Sequence, residues 1–244
     1  MNTININDLD LYKLKRLKTD VNNESKIFVN KNRLYKLLFN DCITKKREEN
    51  IEKLSNFKLP NCVFPDNKII NNYGEFVGIE EEYLKGYKTL GFYLNHNYLE
   101  YEKRKLIAHK LCEIQRLLDN NSISFVDMHT HNIMINNDDI KVIDLDSAEV
   151  INEKNSEVFD YLRRDLICRN LAVICYQALF GYDINIYKVR KERLIRLLSK
   201  SNSKQKEFLN KVYKNNGEGL LEVEDYIDEF DEYFMEESKL ILKI

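Results

Sequence analysis

The stretch at residues 125–150, FVDMHTHNIMINNDDIKVIDLDSAEV, constrains the fold of this chain more than any other part of it. Asp127 lies five residues before Asn132, where a short apolar strand begins. A polar turn separates that strand from a second one, which ends at Asp144. A hairpin of this kind brings three oxygen-bearing side chains to one end. Since like charges that converge repel each other, the sequence predicts a cation or a substrate proton between them.

The composition is that of an ordinary globular protein. Of the 244 residues, 43% are hydrophobic and 32% are charged, so the chain can bury a core as one large domain or two small lobes. The formal net charge of -2 argues against a dedicated nucleic-acid-binding protein. No apolar run approaches the ~20 residues that span a bilayer, and the first residues lack the apolar core of a signal peptide. The five cysteines form no CxxC pair, which indicates buried free thiols and predicts a cytoplasmic location.

The first third of the chain has the pattern of a small β-sheet with one helix. Residues 26–30 and 33–39 are β-type runs joined by a hairpin turn signal. Residues 44–57 carry the charge pairing and the apolar stripe of a helix. Residues 73–83 have the pattern of a turn followed by a strand.

The remainder of the chain is mainly helical. Residues 165–180 are apolar nearly all round, as in a buried central helix, and Gly181 ends it. Two amphipathic segments follow, at about residues 192–213 and 222–237. We therefore predict an α+β fold with a strand-rich N-terminal lobe, followed by a mainly helical lobe. The predicted lobes are residues 1–84 and residues 85–244.

This order of elements and motifs resembles the protein kinase-like superfamily over about residues 12–235. The family's catalytic loop, H-x-D-x-x-x-x-N, is similar to the segment with Asp127 and Asn132 at its Asp and Asn positions. The metal-binding D-F-G motif is similar to the triplet DLD that begins at Asp144, and the strand lysine is similar to Lys36 in RLYKLL. The resemblance implies a bilobal fold in which the N-terminal lobe is an antiparallel sheet with one helix.

The resemblance also implies the cofactors ATP and Mg²⁺ and a role for each motif. Asn132 and Asp144 would hold Mg²⁺, and Asp127 would orient the hydroxyl of the acceptor. The segment EEYLKG resembles the M-E-Y-x-x-G hinge that holds the adenine. The hinge residues implied in nucleotide binding are Glu82, Tyr83 and Leu84.

Lys36 would grip the α- and β-phosphates, as the resemblance implies, and a glutamate of the following helix would fix Lys36 in place. Glu48 is favoured for that role because it lies nearest the apolar face of the helix. Glu49 points further away from that face, and Glu52 lies one turn later.

The chain departs from the family's pattern at several motifs. Residues 20–26, DVNNESK, contain no glycine, although the family has its glycine-rich phosphate loop there. Phe125 and Val126 replace the His-Arg pair, so a phosphorylated activation loop has no receiving cation. His129 and Asp146 resemble the aminoglycoside- and choline-type kinases more than the protein kinases. The A-P-E motif, which belongs to the peptide platform, is missing.

The predicted function is ATP- and Mg²⁺-dependent transfer of the γ-phosphoryl group to a hydroxyl. A protein serine/threonine acceptor is the first choice, because the chain after Gly86 has no room for the insertion that builds an aminoglycoside pocket. A small-molecule kinase, a pseudokinase that acts as a binding module, and transfer of AMP remain alternatives. The expected partners are ATP and a hydroxyl-bearing protein or small molecule, without nucleic acid and without a membrane span. His129 and His131 could instead ligate a metal with Asp127, but no third and fourth ligand lies nearby.

Overall fold

The computed structural model describes residues 1–17, 24–96, 98–151, 157–213 and 220–243. These residues form two compact units. The first unit comprises Met1–Tyr87 and Lys141–Val150, and the second comprises Lys88–Ile140 and Ile151–Ile244. The first unit therefore includes a short segment from the middle of the chain, and this segment carries Asp144. The sequence-based division at residues 84 and 85 assigns that segment to the helical lobe.

The first unit is built on a mixed sheet. Its strands are β1 (Asn2–Asn5), β2 (Lys15–Leu17), β3 (Ser25–Asn30), β4 (Arg33–Leu38), β5 (Asn67–Ile70) and β6 (Phe76–Glu82). Their order across the sheet is β1-β5-β6-β4-β3-β2. The α+β class is confirmed, but the expectation of an antiparallel sheet is wrong at one edge, where β1 pairs parallel with β5. The chain between these two strands passes through other strands and a helix, and a long connection of this kind permits parallel pairing.

Helix α1 (Lys45–Leu54) covers one face of this sheet. Thr44 begins the helix as its N-cap, since its side-chain oxygen accepts a hydrogen bond from the Arg47 amide at 3.1 Å. Ile51 packs with Leu38 of β4 and with buried residues of β6. This contact fixes α1 over the face of β4 that also carries Lys36, because residues 36 and 38 point to the same side of a strand.

The segment Lys141–Val150 is bound to the first unit through backbone hydrogen bonds. The Val142 amide donates to the carbonyl of Asn61 at 2.8 Å, and the Val142 carbonyl accepts from the Val63 amide at 2.9 Å. On α1, the side chain of Asn50 donates to the Ala148 carbonyl and accepts from the Val150 amide. The segment is therefore held at its start and at its end, with Asp144 between the two attachments.

The second unit consists mainly of helices. Its helices are α2 (Leu90–His96), α3 (Tyr101–Asn120), α4 (Glu157–Phe180), α5 (Lys191–Lys200), α6 (Ser203–Tyr213), α7 (Glu224–Ile227) and α8 (Glu232–Leu242). The remaining strands of the chain are β7 (Lys88–Thr89), β8 (Ile123–Ser124), β9 (Ile133–Asn136), β10 (Asp139–Val142) and β11 (Glu149–Val150). Strands β7, β9 and β10 form a small sheet in the order β10-β9-β7, and β10 leads the chain into the first unit at Lys141.

The central helix α4 carries the core of the second unit. Its C-terminal half is buried as predicted, and Gly181 follows it with φ +71, a left-handed conformation that suits glycine. Aromatic rings from α4, from α6 and from the residue just before the N-cap of α8 pack together there. The ring centroids of Tyr176 and Phe230 are 6.3 Å apart, and those of Phe208 and Phe230 are 5.1 Å apart. None of the helices in the described ranges is both long and apolar enough to cross a bilayer.

Each of the two amphipathic segments predicted near the C-terminus is two helices in the structure. Between α5 and α6, Asn202 and Gln205 form a reciprocal cap. The Gln205 amide donates to the Asn202 side chain at 2.8 Å, and the Asn202 amide donates to the Gln205 side chain at 2.9 Å. Such a cap starts a new helix, so the apolar periodicity continues across a break in the backbone.

Gly78 should be intolerant of a side chain. A Cβ atom at Gly78 would lie 2.2 Å from the backbone oxygen of Lys36, so Gly78→Ala must push β4 away from β6. We expect a loss of about 3 kcal/mol in the free energy of unfolding, as in an overpacked core. Gly74→Ala is the control, because its Cβ meets open space and only its φ of +80 resists the change, which costs about 1 kcal/mol. Equal losses in urea denaturation would contradict the steric explanation.

Candidate functional site

Lys36 is buried on the helix-covered face of β4, with 6% of its surface exposed. Its ammonium nitrogen lies 2.5 Å from Asp144 Oδ1, 2.6 Å from Asp146 Oδ1 and 3.4 Å from Glu81 Oε1. All four residues belong to the first unit. Burial alone would lower the pKa of Lys36, but the carboxylates of Asp146, Glu81 and Asp144 raise it well above its ordinary value. The lysine is therefore held as a cation.

Asp144 and Asp146 reach Lys36 together because of a tight turn between them. Asp144 has φ +66, a left-handed conformation that aspartate tolerates better than most residues. A short 3₁₀ helix, Leu145–Ser147, follows it, and the Ser147 hydroxyl donates to the Asp144 carbonyl at 3.0 Å. The two carboxylates differ in exposure, since the side chain of Asp144 is 41% exposed and that of Asp146 only 3%.

Asp146 is shared between two cations. Its Oδ1 contacts Lys36, and its Oδ2 accepts a hydrogen bond from Arg47 Nη2 of α1 at 2.9 Å. Arg47 Nη1 donates in turn to Glu24 Oε2 at 2.9 Å. Burial would raise the pKa of Asp146, but Lys36 and Arg47 outweigh it and lower the pKa to about 2. Because each of its carboxylate oxygens binds a cation, Asp146 connects Lys36 of β4 to Arg47 of α1.

Glu81 is a buried carboxylate with one partner. Its side chain is 3% exposed on β6, and its Oε2 has no hydrogen-bond partner among the described residues. Burial raises the pKa of Glu81 to about 7, although Lys36 acts to lower it. Sequence reasoning did not assign Glu81 to the site. The alternation of strand β6 contained the signal, because Glu81 shares the inward face of the strand with Ile79.

Glu48 does not contact Lys36. Its Oε1 lies 3.0 Å from Lys68 of β5, and Glu52 Oε1 lies 2.6 Å from the same ammonium nitrogen. Glu48 and Glu52 are one helical turn apart, so they share a face of α1, and that face meets β5. The residue of α1 that faces the Lys36 cluster is Arg47, and the expected Lys36–Glu48 pair is not formed.

The predicted hinge residues follow the end of β6. Glu82 is the last residue of that strand and is exposed. The Tyr83 amide donates to the Asn32 carbonyl at 2.9 Å, and the Lys85 amide donates to the Tyr83 carbonyl at 2.9 Å. The Leu84 amide between them makes no hydrogen bond with any described residue, and Leu84 itself is buried.

Asp127 and Asn132 lie together in the second unit. Asn132 Nδ2 donates to the Asp127 carbonyl at 3.0 Å and lies 3.4 Å from Asp127 Oδ2. Asn132 is buried, whereas the side chain of Asp127 is 59% exposed. The buried amide thus orients a carboxylate that faces solvent. With its nitrogen turned towards Asp127, Asn132 keeps its amide oxygen as the atom that could ligate a cation.

Helix α4 supports this loop through a residue that sequence reasoning missed. Asn170 Nδ2 donates to the Val126 carbonyl at 2.6 Å, whereas Asp165 of the same helix accepts a hydrogen bond from Lys211. His129 Nε2 lies 3.6 Å from Asp127 Oδ1, which places an imidazole beside the predicted catalytic carboxylate. The ring of His131 lies 5.8 Å from that of His129.

The residues predicted to hold Mg²⁺ belong to different units, Asn132 to the second and Asp144 to the first. Across the described ranges, no group of three or more His, Cys, Asp or Glu side chains is arranged to hold a metal ion. In the Lys36 cluster the ammonium occupies the space between the carboxylates. The exposed carboxylate of Asp144 still suits Mg²⁺, which is usually bound through one or two carboxylates, substrate phosphates and water. Residues 20–23 of the predicted phosphate loop lie outside the described residues.

Comparisons with known proteins do not assign this chain to a family. No protein-family model matches the chain, and no curated protein matches it.

Glu81 should make the stability of the protein depend on pH. Its pKa is about 7 in the folded protein and 4.5 as the ordinary value, so its contribution is fully present below pH 4.5 and is lost as the pH rises through 7. We expect the free energy of unfolding of the wild type to fall by up to ~3 kcal/mol relative to Glu81→Gln over this range. Urea denaturation at several pH values measures this difference, and parallel profiles would contradict it.

The two aspartates should differ in their effect on stability. Asp146→Asn leaves Lys36 and Arg47 buried without their shared carboxylate, so we expect a loss of about 3–5 kcal/mol at pH 7. Asp144→Asn removes a half-exposed partner, and we expect a loss of ~1 kcal/mol or less. Chemical denaturation of both variants measures the difference. Equal losses would show that Asp146 has no special place in the cluster.

Proposed function

We propose that this protein is an ATP- and Mg²⁺-dependent phosphotransferase that moves the γ-phosphoryl group to a hydroxyl. The observation that carries the proposal is the 2.5 Å contact between Lys36 and Asp144, which are 108 residues apart in sequence. A strand lysine and the aspartate of a D-F-G-like motif are the two groups that phosphoryl transfer requires beside the phosphates of ATP. Their meeting in one unit supports the resemblance on which the function rests.

The hinge supports nucleotide binding in particular. The Leu84 amide has no acceptor among the described residues, and a backbone donor of this kind can bind a nucleobase edge. Glu82 and Tyr83 precede Leu84 on the same connection. Lys36 would then contribute its positive charge to the α- and β-phosphates.

The acceptor hydroxyl would be oriented by Asp127. Its carboxylate is exposed, and Asn132 and His129 fix it from two sides, so it can accept the hydrogen bond of an incoming hydroxyl. When bound, Mg²⁺ neutralises charge that develops on the transferred phosphoryl group. The resemblance assigns Mg²⁺ to Asp144 and Asn132, and each of them offers the hard oxygen ligands that Mg²⁺ prefers.

A protein serine or threonine is the proposed acceptor. An exposed Asp127 favours a hydroxyl presented on the surface of a macromolecule, and the absent pocket-building insertion favours it too. A small-molecule hydroxyl is the second candidate, because His129 lies 3.6 Å from Asp127 and thereby resembles the loop of the aminoglycoside- and choline-type kinases.

Asp144→Asn and Asp127→Asn should each abolish phosphotransfer. We expect γ-phosphate transfer from labelled ATP with Mg²⁺, measured on protein substrates and small alcohols, to fall ~100-fold or more in either variant. Asp138→Asn is the matched control, since Asp138 is exposed in the turn between β9 and β10 and pairs with Lys103 of α3.

Three outcomes would contradict the proposal in different ways. Equal turnover in the wild type and Asp144→Asn would exclude the assigned chemistry. If nucleotide stabilises the folded protein but is not turned over, the protein is a pseudokinase. The three carboxylates that contact Lys36 would then explain why turnover is absent. Label transferred from the α-phosphate instead of the γ-phosphate would indicate transfer of AMP.

A further inference from the structure

The pairing of Glu81 with Lys36 lies within the sheet itself. In the register of β4 and β6, Lys36 is opposite Ile79 and Leu34 is opposite Glu81. Lys36 and Glu81 are therefore diagonal neighbours on one face of adjacent strands, a separation that long side chains can bridge. Their charged atoms lie 3.4 Å apart, and both side chains are more than nine-tenths buried.

The glutamates of α1 are engaged elsewhere. Glu48 and Glu52 contact Lys68, and Glu49 lies 3.7 Å from Lys45 on the solvent side of the helix. The helix instead directs Arg47 towards Asp146. In the described part of the chain, no carboxylate of α1 contacts Lys36. Helix α1 therefore does not supply the glutamate that the resemblance implies as the partner of Lys36.

We propose that Glu81, together with Asp146, positions Lys36 for the nucleotide, in the role that a helix glutamate would otherwise have. This inference rests on the proposed function. An ammonium group has three hydrogens to donate, and the structure offers Lys36 three carboxylates. Asp146 is fixed between two cations and Glu81 is enclosed, whereas Asp144 is partly exposed. If Asp144 turns to the metal, Asp146 and Glu81 retain Lys36 and leave its third hydrogen for a phosphate oxygen.

The position of Glu81 has a consequence for how the site is assembled. A lysine held from an adjacent strand keeps its place through the register of β4 and β6. A lysine held from a helix loses its partner whenever that helix shifts. The proposed arrangement therefore makes the phosphate-gripping lysine independent of the orientation of α1, apart from the link from Arg47 to Asp146.

Steady-state kinetics with ATP and Mg²⁺ test this proposal. For Glu81→Gln we expect kcat to fall on the order of 10- to 100-fold, as for a misplaced catalytic group, with a smaller change in KM for ATP. The same variant should be no less stable than the wild type at pH 8, because it removes a buried negative charge. Glu81→Asp should recover part of kcat. If Glu81 had only a structural role, the Glu81→Gln variant would instead lose both stability and activity.

Two further glutamates complete the experiment. Glu48→Gln tests the competing helix residue and should retain wild-type kcat. Glu75→Gln is the control, since Glu75 is exposed ahead of β6 and bonds to Asn71. Wild-type kcat and KM in Glu81→Gln, or a comparable loss in Glu48→Gln, would overturn the inference while the proposed function stands.

A second measurement separates failure of the inference from failure of the function. Acetylation of Lys36 by acetic anhydride at one pH, quantified by mass spectrometry, reports how well Lys36 is enclosed. We expect labelling to rise several-fold in Glu81→Gln and to remain at the wild-type level in Glu48→Gln. Unchanged labelling in Glu81→Gln would overturn the positioning role whether or not turnover is seen. A wild type without ATP turnover, but with the expected labelling, would refute the function and its nucleotide role and leave only the local ion pair.

Discussion

A lysine buried beneath a β-sheet stays charged only where carboxylates surround it, because an ammonium removed from water is costly unless charged partners replace the solvent. In the first unit three parts of the chain meet this requirement for Lys36. Strand β6 supplies Glu81, the segment Lys141–Val150 supplies Asp144 and Asp146, and α1 supplies Arg47, which binds the second carboxylate oxygen of Asp146. The segment is tied to α1 and to residues 61–63 by its backbone. The packing of this unit and the pairing of its buried charges therefore depend on the same parts of the chain.

The patterns that rest on neighbouring residues were readable from the sequence. The β3–β4 hairpin, helix α1 and the buried half of α4 follow from the β-type runs, the charge pairing and the apolar periodicity of the sequence. The resemblance assigns Lys36 to the phosphates and Asp144 to the metal, and the structure brings these two residues into contact. The parallel strand β1 was not predictable in this way, because its pairing depends on a partner that lies beyond several intervening elements.

The charge partners of Lys36 were harder to foresee for a related reason. A helix carries glutamates at positions 48, 49 and 52, and the sequence alone does not show which face meets the lysine. The structure turns two of them to Lys68 and brings Arg47 inward. Glu81 was hidden for another reason, since it stands in a run of three glutamates that suggests a solvated surface. Glu80 and Glu81 are both buried, and only the alternation of the strand places Glu81 on the face that carries Lys36.

The interrupted composition of the first unit bears on how the chain folds during synthesis. Its strands and α1 emerge from the ribosome well before Lys141–Val150, because the whole stretch Lys88–Ile140 is made in between. Until residue 146 emerges, Lys36 has Glu81 as its one buried carboxylate of the set, and Arg47 lacks its buried partner. Domains usually fold as they emerge, and contacts distant in sequence form late. The N-terminal third of the chain is therefore made before the carboxylates of Asp144 and Asp146 are available to Lys36. A fragment cut at residue 84 would keep the sequence of the sheet but would lack these two charges.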